Sequence, residues 1–149
     1  LLLLNKEGKL IELKKNLTNF SYRSSGINKH YFIVAAKFEI RKGNEKDINK
    51  KIKKYLDLRK KTQPIKTLTG GSTFINPDKK KAWKLIKESG CTDMSVGGAK
   101  ISEKHCNFLV NTGSATSKDL ESLGNKIKNK VYKQTGIKLN WEIKRIGSK

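Results

Sequence analysis

The spacing of apolar residues along the chain predicts three helices. Apolar side chains recur at helical intervals after Asn44, after Asp78 and after Thr116, and each of these three residues is a suitable N-cap. Gly90 and Gly136 stand where the second and third helices need a left-handed terminating residue. The recurring apolar positions are Ile48, Ile52, Tyr55 and Leu56 in the first helix, Ala82, Trp83, Leu85 and Ile86 in the second, and Leu120, Leu123, Ile127 and Val131 in the third.

Shorter apolar runs outside these helices predict strands. The longest covers residues 30–43, where an apolar run gives way to alternation of apolar and charged positions. Two short pieces are expected around the Gly97 and Gly98 pair, and residues 107–111 form another run. Helices mixed with short, largely non-parallel strands indicate the α+β class.

The last apolar stretch, residues 137–147, predicts a final strand by clean alternation. Its apolar side carries Trp141, and its polar side carries Glu142 and Lys144. If the Trp141 side is buried, Glu142 and Lys144 share the open face. A carboxylate beside a lysine is most often an exposed pair, so Glu142 gains functional weight only if another polar group faces it.

Composition adds a strong positive charge to this pattern. The chain has 149 residues with a net charge of +21, and such a field attracts nucleic acids, acidic lipids or phosphorylated small molecules. Only four of the 34 basic residues are arginines, and the lysines are spread along the whole chain. Because base readout and phosphate clamping favour arginine, this spread is more typical of a compositional drift than of a dedicated nucleic-acid surface.

The two cysteines and the first residues of the chain indicate in which cellular compartment the protein is expected. Cys91 and Cys106 have no CxxC motif and no paired histidine, so we expect small apolar side chains in a reducing cytoplasm and no metal site. The opening LLLL run is too short for a signal peptide or a membrane span. Since the chain does not begin with methionine, we expect it to be a piece of a longer protein.

Ser72 lies in the stretch GGSTFINP, at residues 70–77. The two glycines permit a tight turn and the close approach of a ligand, so Ser72 is either a turn residue or a hydroxyl presented to a substrate. No GxSxG motif surrounds it, and both histidines are isolated in sequence, which argues against a hydrolase triad. A lone arginine is usually a surface residue, but Arg23 stands where this composition would supply lysine, which favours a bidentate contact with a carboxylate or phosphate.

Four segments together resemble the UDP-N-acetylenolpyruvoylglucosamine reductase family. They are YRSS at residues 22–25, the GGSTFINP stretch, VGGAKISEKHCNFLVNTGSATSKDL at residues 96–120 and NWEIKRIG at residues 140–147. The family's GS-x-F-x-NP pattern is matched from Gly71 to Pro77. The resemblance covers essentially the whole chain and corresponds to the C-terminal part of the family's length.

The resemblance implies an FAD-dependent reduction in peptidoglycan precursor synthesis. NADPH would pass hydride to the flavin, which would pass it to the double bond of UDP-N-acetylglucosamine enolpyruvate. No specific nucleic-acid partner and no membrane partner is implied.

Carried over by motif, the family's functional positions fall on six residues of this chain. The implied catalytic residues are Arg23, Ser72 and Glu142, the implied flavin contacts are Tyr22 and Arg23, and the implied substrate contacts are Asn76 and Lys144. In this assignment Ser72 is the proton donor. Lys144 stands where the family usually has arginine, which keeps the charge but loses the planar fork. His105 is expected to be a hydrogen-bonded structural residue.

The resemblance also implies a domain organisation. Residues 1–43 would be the tail of an FAD-binding domain, residues 44–62 a connecting helix and residues 63–149 a substrate-binding domain. Nothing in the chain matches the glycine-rich region with which the family wraps the FAD diphosphate, so we expect the chain alone to bind FAD poorly. Two other interpretations stay open, a basic nucleic-acid-binding module and an inactive remnant of the reductase.

Overall fold

A computed structural model of the protein describes residues 1–78 and 80–147. The chain divides into two compact units, Leu1–Asn44 and Glu45–Lys149. Both contain small antiparallel sheets, and the second also contains three helices, which confirms the predicted α+β class. Residue 79 and the last two residues of the predicted 63–149 domain lie outside the described residues.

The first unit is built on a three-stranded antiparallel sheet. Strand β1 (Leu2–Leu4) lies between β2 (Leu10–Glu12) and β3 (Phe32–Ala35). A single 3₁₀ turn, Lys15–Leu17, follows β2. The prediction of a strand over residues 30–43 was too long, because only the apolar run at its start pairs with β1.

The second unit carries a four-stranded antiparallel sheet and the three helices. The strands β4 (Leu68–Ser72), β5 (Ser95–Val96), β6 (Ala99–Ile101) and β7 (Phe108–Asn111) are arranged in the order β4-β7-β6-β5. The helices are α1 (Glu45–Thr62), α2 (Ala82–Glu88) and α3 (Ser117–Thr135). Among the described residues, none of these helices is long and apolar enough to cross a membrane.

The core of the second unit lies where α2 and α3 meet the sheet. The buried apolar side chains from α2 and α3 are those of Ala82, Leu85, Ile86, Leu123, Ile127 and Val131, as the helical pattern predicted. Trp83 was predicted to face inward and is instead partly exposed. The four recurring apolar residues of α1 form a helix as predicted, yet none of them is buried.

Local sequence signals define both ends of α3. The Thr116 side chain accepts a hydrogen bond from the Asp119 main-chain N–H (3.1 Å), and the Asp119 carboxylate accepts one from the Thr116 N–H (2.9 Å). This is the predicted capping box, and Gly136 ends the helix at φ +70°. The N-cap predicted for α2 was wrong, because Lys81 occupies that position and the Asn76 side chain accepts the first helical N–H from Ala82 (2.9 Å).

The final stretch was predicted to be a strand and forms only an isolated bridge, between Trp141 and Phe74. The two rings pack with their centroids 5.1 Å apart. Gly124 of α3 makes room for the indole, since a Cβ atom there would lie less than 3.0 Å from three atoms of the Trp141 ring. The alternation therefore predicted correctly that the Trp141 side chain faces the core, but the main-chain pairing is too short to make a strand.

We expect Gly124→Ala to destabilise the protein by about 2 kcal/mol, the usual cost of overpacking a core. This is the reverse of the normal effect in a helix, where alanine is favoured over glycine by about 1 kcal/mol. Urea unfolding followed by tryptophan fluorescence, to which Trp83 and Trp141 both contribute, measures the change. Asn125→Ala, at the exposed neighbouring position of α3, is the control and should be neutral or slightly stabilising. A Gly124→Ala protein as stable as this control would contradict the steric argument.

Candidate active site

Ser72 is presented by a bulge at the end of β4 and not by the predicted turn. Thr69 pairs with Val110 and Ser72 pairs with Phe108, so β4 has one residue more than β7 over this interval. Gly71 takes up the irregularity at φ +89°, a conformation that favours glycine. The glycines of the GGSTFINP stretch thus act inside a strand, where a bulge can redirect the side chain that follows.

Ser72 and Glu142 line the same cavity, which has a volume of about 440 Å³. The Glu142 main-chain N–H donates to the Thr73 carbonyl (2.8 Å), and this bond fixes the end of the chain beside the serine. The two residues are 70 positions apart in sequence, and the structure brings them together as the resemblance implies. The full lining is Arg59, Gln63, Gly70, Gly71, Ser72, Phe108, Glu142 and Ile143.

Arg59 and Gln63 are lining residues that the sequence analysis missed. They come from the end of α1 and the residue after it, and the Arg59 Nε–H donates to the Gln63 Oε1 atom (3.1 Å). This bond leaves the two terminal nitrogens of the guanidinium for another partner. A signal was available, since Arg59 is one of only four arginines in a lysine-rich chain. The cavity thus combines a hydroxyl, a carboxylate and a guanidinium.

The two implied substrate contacts lie apart from the lining of this cavity. Asn76 follows Ser72 by four residues, and its Oδ1 atom accepts the Ala82 N–H at the start of α2. Lys144 lines a separate cavity of about 290 Å³, which shares Gly70 and Ile143 with the serine cavity. Their roles as substrate contacts stay predictions.

Tyr22 and Arg23 belong to the first unit, where they form the two central residues of a tight turn. Ser21 and Ser24 close this turn through two main-chain hydrogen bonds of 2.9 and 3.1 Å. Arg23 has φ +60°, the one non-glycine residue at positive φ among those described. Its guanidinium carbon lies 5.6 Å from the centre of the Tyr22 ring. A strained backbone at an exposed arginine is a pattern found at functional positions.

His105 is half-buried beside the cavity wall, next to Phe108. Its Nδ1 atom accepts the Asn107 main-chain N–H (3.2 Å), so the proton of the neutral ring is on Nε2. Burial lowers the pKa of His105, although a hydrogen bond to its own backbone opposes the shift. These contacts support the predicted structural role. Within the described part of the chain, no group of three or more histidine, cysteine or acidic side chains is placed to hold a metal ion.

Comparisons of this chain with family models, with protein sequences and with solved structures all match the same family. The model for the C-terminal domain of UDP-N-acetylenolpyruvoylglucosamine reductase matches residues 63–146. A reductase of this name from Rickettsia prowazekii is 46% identical over 97% of this chain, and one from Paramagnetospirillum magneticum is 44% identical over 97%. The crystal structure of the enzyme from Thermus caldophilus superposes with a TM-score of 0.78 at 26% identity over 95% of this chain. The resemblance drawn from the motifs is confirmed.

The relatives are longer than this chain. The matched regions amount to 49% of the Rickettsia prowazekii protein, 47% of the Paramagnetospirillum magneticum protein and 50% of the Thermus caldophilus chain. The chain therefore spans about half the length of the relatives it matches.

The lowered pKa of His105 predicts a loss of stability on acidification. The unfolded chain takes up a proton on this ring near pH 6.5, whereas the folded chain resists it, so the free energy of unfolding falls as the pH drops below about 6.5. His105→Gln keeps a side chain that can accept the Asn107 N–H and should lose less stability between about pH 7.5 and 5.5. Urea unfolding at both pH values measures this. The unsubstituted chain at the same two pH values is the reference, and an unchanged dependence in His105→Gln would contradict the assignment.

Proposed function

Because this chain belongs to the UDP-N-acetylenolpyruvoylglucosamine reductase family, we propose that it forms the substrate-binding part of such a reductase. The reaction is the FAD- and NADPH-dependent reduction of UDP-N-acetylglucosamine enolpyruvate to UDP-N-acetylmuramate, a step in peptidoglycan precursor synthesis. One observation carries the proposal: Ser72 and Glu142, which the family motifs assign to catalysis, line one cavity.

Ser72 has the role of proton donor in this proposal. When FAD is bound and reduced, it supplies the hydride for the enolpyruvyl double bond. Electron density then collects on the carbon next to the substrate carboxylate, and this carbon is basic enough to take a proton from a hydroxyl in contact with it. The Ser72 O–H bond breaks, a C–H bond forms, and the serine oxygen is left to recover a proton. Glu142, in the same cavity, is the proton-sharing partner for this recovery.

The positive groups have an electrostatic role. Arg59 lines the serine cavity, and its positive guanidinium can stabilise the negative substrate carboxylate and the further negative charge that builds beside it. The family assignment gives Arg23 the same role. Its guanidinium is planar, a geometry that the ammonium group of a lysine does not have. Glu142 is more useful to the reaction as a proton-sharing group than as a bare anion beside this carboxylate.

The fit of the chain to FAD is partial. Tyr22 and Arg23 suit the reacting end of a flavin, because they place an exposed ring and a guanidinium side by side on one turn. The first unit has only three glycines, well separated in sequence, and so no glycine-rich loop for the FAD phosphates. Tyr22 and Arg23 would therefore contact the cofactor, while most of its binding would come from other parts of a reductase.

A titration of this chain with UDP-N-acetylglucosamine enolpyruvate tests the substrate assignment. We expect saturable heat in calorimetry, and Arg59→Gln should weaken the affinity about tenfold because a charge-assisted contact is lost. Arg41→Gln, at an exposed arginine that lines none of the cavities described above, is the matched control and should bind like the unsubstituted chain. Salt-sensitive binding to duplex DNA without binding to the nucleotide sugar would favour the nucleic-acid module instead.

Ser72→Ala tests the proton donor in a flavin-loaded reductase that contains this chain. We expect substrate reduction to slow by about 10²–10⁴-fold, the usual contribution of a general acid, while NADPH reduces the flavin at an unchanged rate. Rapid mixing with flavin absorbance separates these two half-reactions. Ser95→Ala, at an exposed strand serine outside the described cavities, should leave both rates unchanged. Equal rates of substrate reduction in the Ser72→Ala and unsubstituted proteins would remove Ser72 from the mechanism.

A further inference from the structure

We propose that Asn107 is a positioning residue of the cavity that Ser72 and Glu142 line. Its side chain holds the main chain of Phe74, and through Thr73 it sets the placement of Ser72 and Glu142 relative to each other. The catalytic importance of that placement rests on the proposed function. The placement itself rests only on hydrogen bonds within this chain.

Asn107 makes three hydrogen bonds to the two residues that follow Ser72. Its Oδ1 atom accepts the Phe74 N–H (3.0 Å), and its Nδ2 atom donates to the Phe74 carbonyl (2.8 Å). Its main-chain carbonyl accepts the Thr73 N–H (2.7 Å). Asn107 and both of its partners are buried, so water cannot replace these bonds. The Asn107 amide thus makes the two hydrogen bonds to Phe74 that the main chain of a neighbouring strand would otherwise make.

The course of β7 explains why a side chain is needed here. The ladder between β4 and β7 ends with the pair Ser72 and Phe108. On the N-terminal side of Phe108 the chain turns away, since the His105 N–H donates to the Ser102 carbonyl (3.2 Å). On the β7 side, main-chain pairing thus reaches Thr73 and stops, and the Asn107 side chain satisfies both main-chain groups of Phe74. Truncating it would leave a buried donor and a buried acceptor without partners.

Both site residues depend on the segment that Asn107 holds. Ser72 is joined to Thr73 by a peptide bond, and the Glu142 N–H donates to the Thr73 carbonyl (2.8 Å). One residue further on, the Ile75 N–H donates to the Asn140 carbonyl (2.9 Å). The chain at residues 140–142 is therefore attached to the segment from Thr73 to Ile75. A shift of this segment would move the hydroxyl and the carboxylate by different amounts.

Amide hydrogen exchange in this chain measures the effect without any ligand. The signal is the exchange rate of the Glu142 N–H divided by that of Ile127, which is buried in α3 and reports global unfolding. In Asn107→Ala we expect this ratio to rise at least about tenfold. The hydrogen bond of Glu142 does not involve Asn107, so a purely global loss of stability would leave the ratio unchanged or lower it, and would not raise it. A ratio within about twofold of the unsubstituted value would overturn the proposal, as would an unprotected Glu142 N–H in the unsubstituted chain.

Asn111→Ala is the matched control, since Asn111 is the last residue of β7 and Asn107 immediately precedes the first. The Asn111 side chain also makes three main-chain bonds, accepting from Gly113 (2.8 Å) and Ala115 (3.0 Å) and donating to the Ala115 carbonyl (3.1 Å). These bonds organise the loop before α3 and do not touch the segment beside Ser72. We expect the Glu142 ratio to stay unchanged in this variant. A rise equal to that in Asn107→Ala would overturn the specific role of Asn107.

A second variant covers the case in which Asn107→Ala does not fold. Asn107→Asp has nearly the same shape and can still accept the Phe74 N–H, but its carboxylate cannot donate to the Phe74 carbonyl. A rise of the Glu142 ratio, smaller than in the alanine variant if that variant folds, supports the proposal, and an unchanged ratio overturns it.

Calorimetry separates this proposal from the proposed function. If the unsubstituted chain does not bind the nucleotide sugar while Asn107→Ala still raises the Glu142 ratio, the function fails and the positioning role stands. If the sugar binds and Asn107→Ala changes neither its affinity nor the ratio, the positioning role fails and the function stands.

Discussion

Buried main-chain groups beyond the end of a strand still need hydrogen-bond partners, and in this protein that requirement organises the second unit around Thr73 and Phe74. Asn107, the residue before β7, supplies partners on one side, and residues 140–142 supply them on the other. Parts of the chain that are far apart in sequence are thereby drawn to one place. The cavity between Ser72 and Glu142 follows from this backbone arrangement.

Side-chain packing, like the hydrogen bonds, holds residues 140–142 against the segment from Thr73 to Ile75. Trp141 packs against Phe74 on one side and enters the space left by Gly124 on the other. The neighbouring Glu142 consequently points away from the core, as alternation along an extended chain requires. A similar close approach occurs at Gly98, where a Cβ atom would collide with the main chain of Ala115. Glycines in these motifs thus provide space for neighbouring groups as well as conformational freedom.

The elements with strong local signals were predictable from sequence, and those that depend on distant partners were not. The capping box and terminating glycine of α3 are encoded within the helix itself, and both predictions were correct. The start of α2 was missed because its first N–H is satisfied by Asn76, six residues before the helix begins. The bulge at Ser72 was not predicted, because two glycines before a serine also suit a turn and only pairing with β7 distinguishes the two.

The same distinction applies to the site. Ser72 and Glu142 could be proposed together only through a resemblance to known motifs, since no local pattern links residues 70 positions apart. Arg59 was passed over although it is an arginine in a lysine-rich helix. Its relevance depends on where the end of α1 lies in the second unit, which helical periodicity does not determine.

The four arginines are more informative than the net charge of +21. Arg145 pairs with Glu121 at 3.1 Å, and its guanidinium lies 5.0 Å from the centre of the Trp141 ring. Arg59 bonds Gln63 from inside the serine cavity, and Arg23 lies beside the Tyr22 ring. At Arg59 the donor is the Nε–H, a group that lysine does not have. Ring contacts are not confined to arginine, since Lys128 also lies 5.9 Å from the centre of the Trp141 ring. Three of the four arginines therefore lie at defined hydrogen-bond or ring contacts, whereas Arg41 is exposed, so the contacts of each arginine, and not its presence alone, indicate where the guanidinium is used.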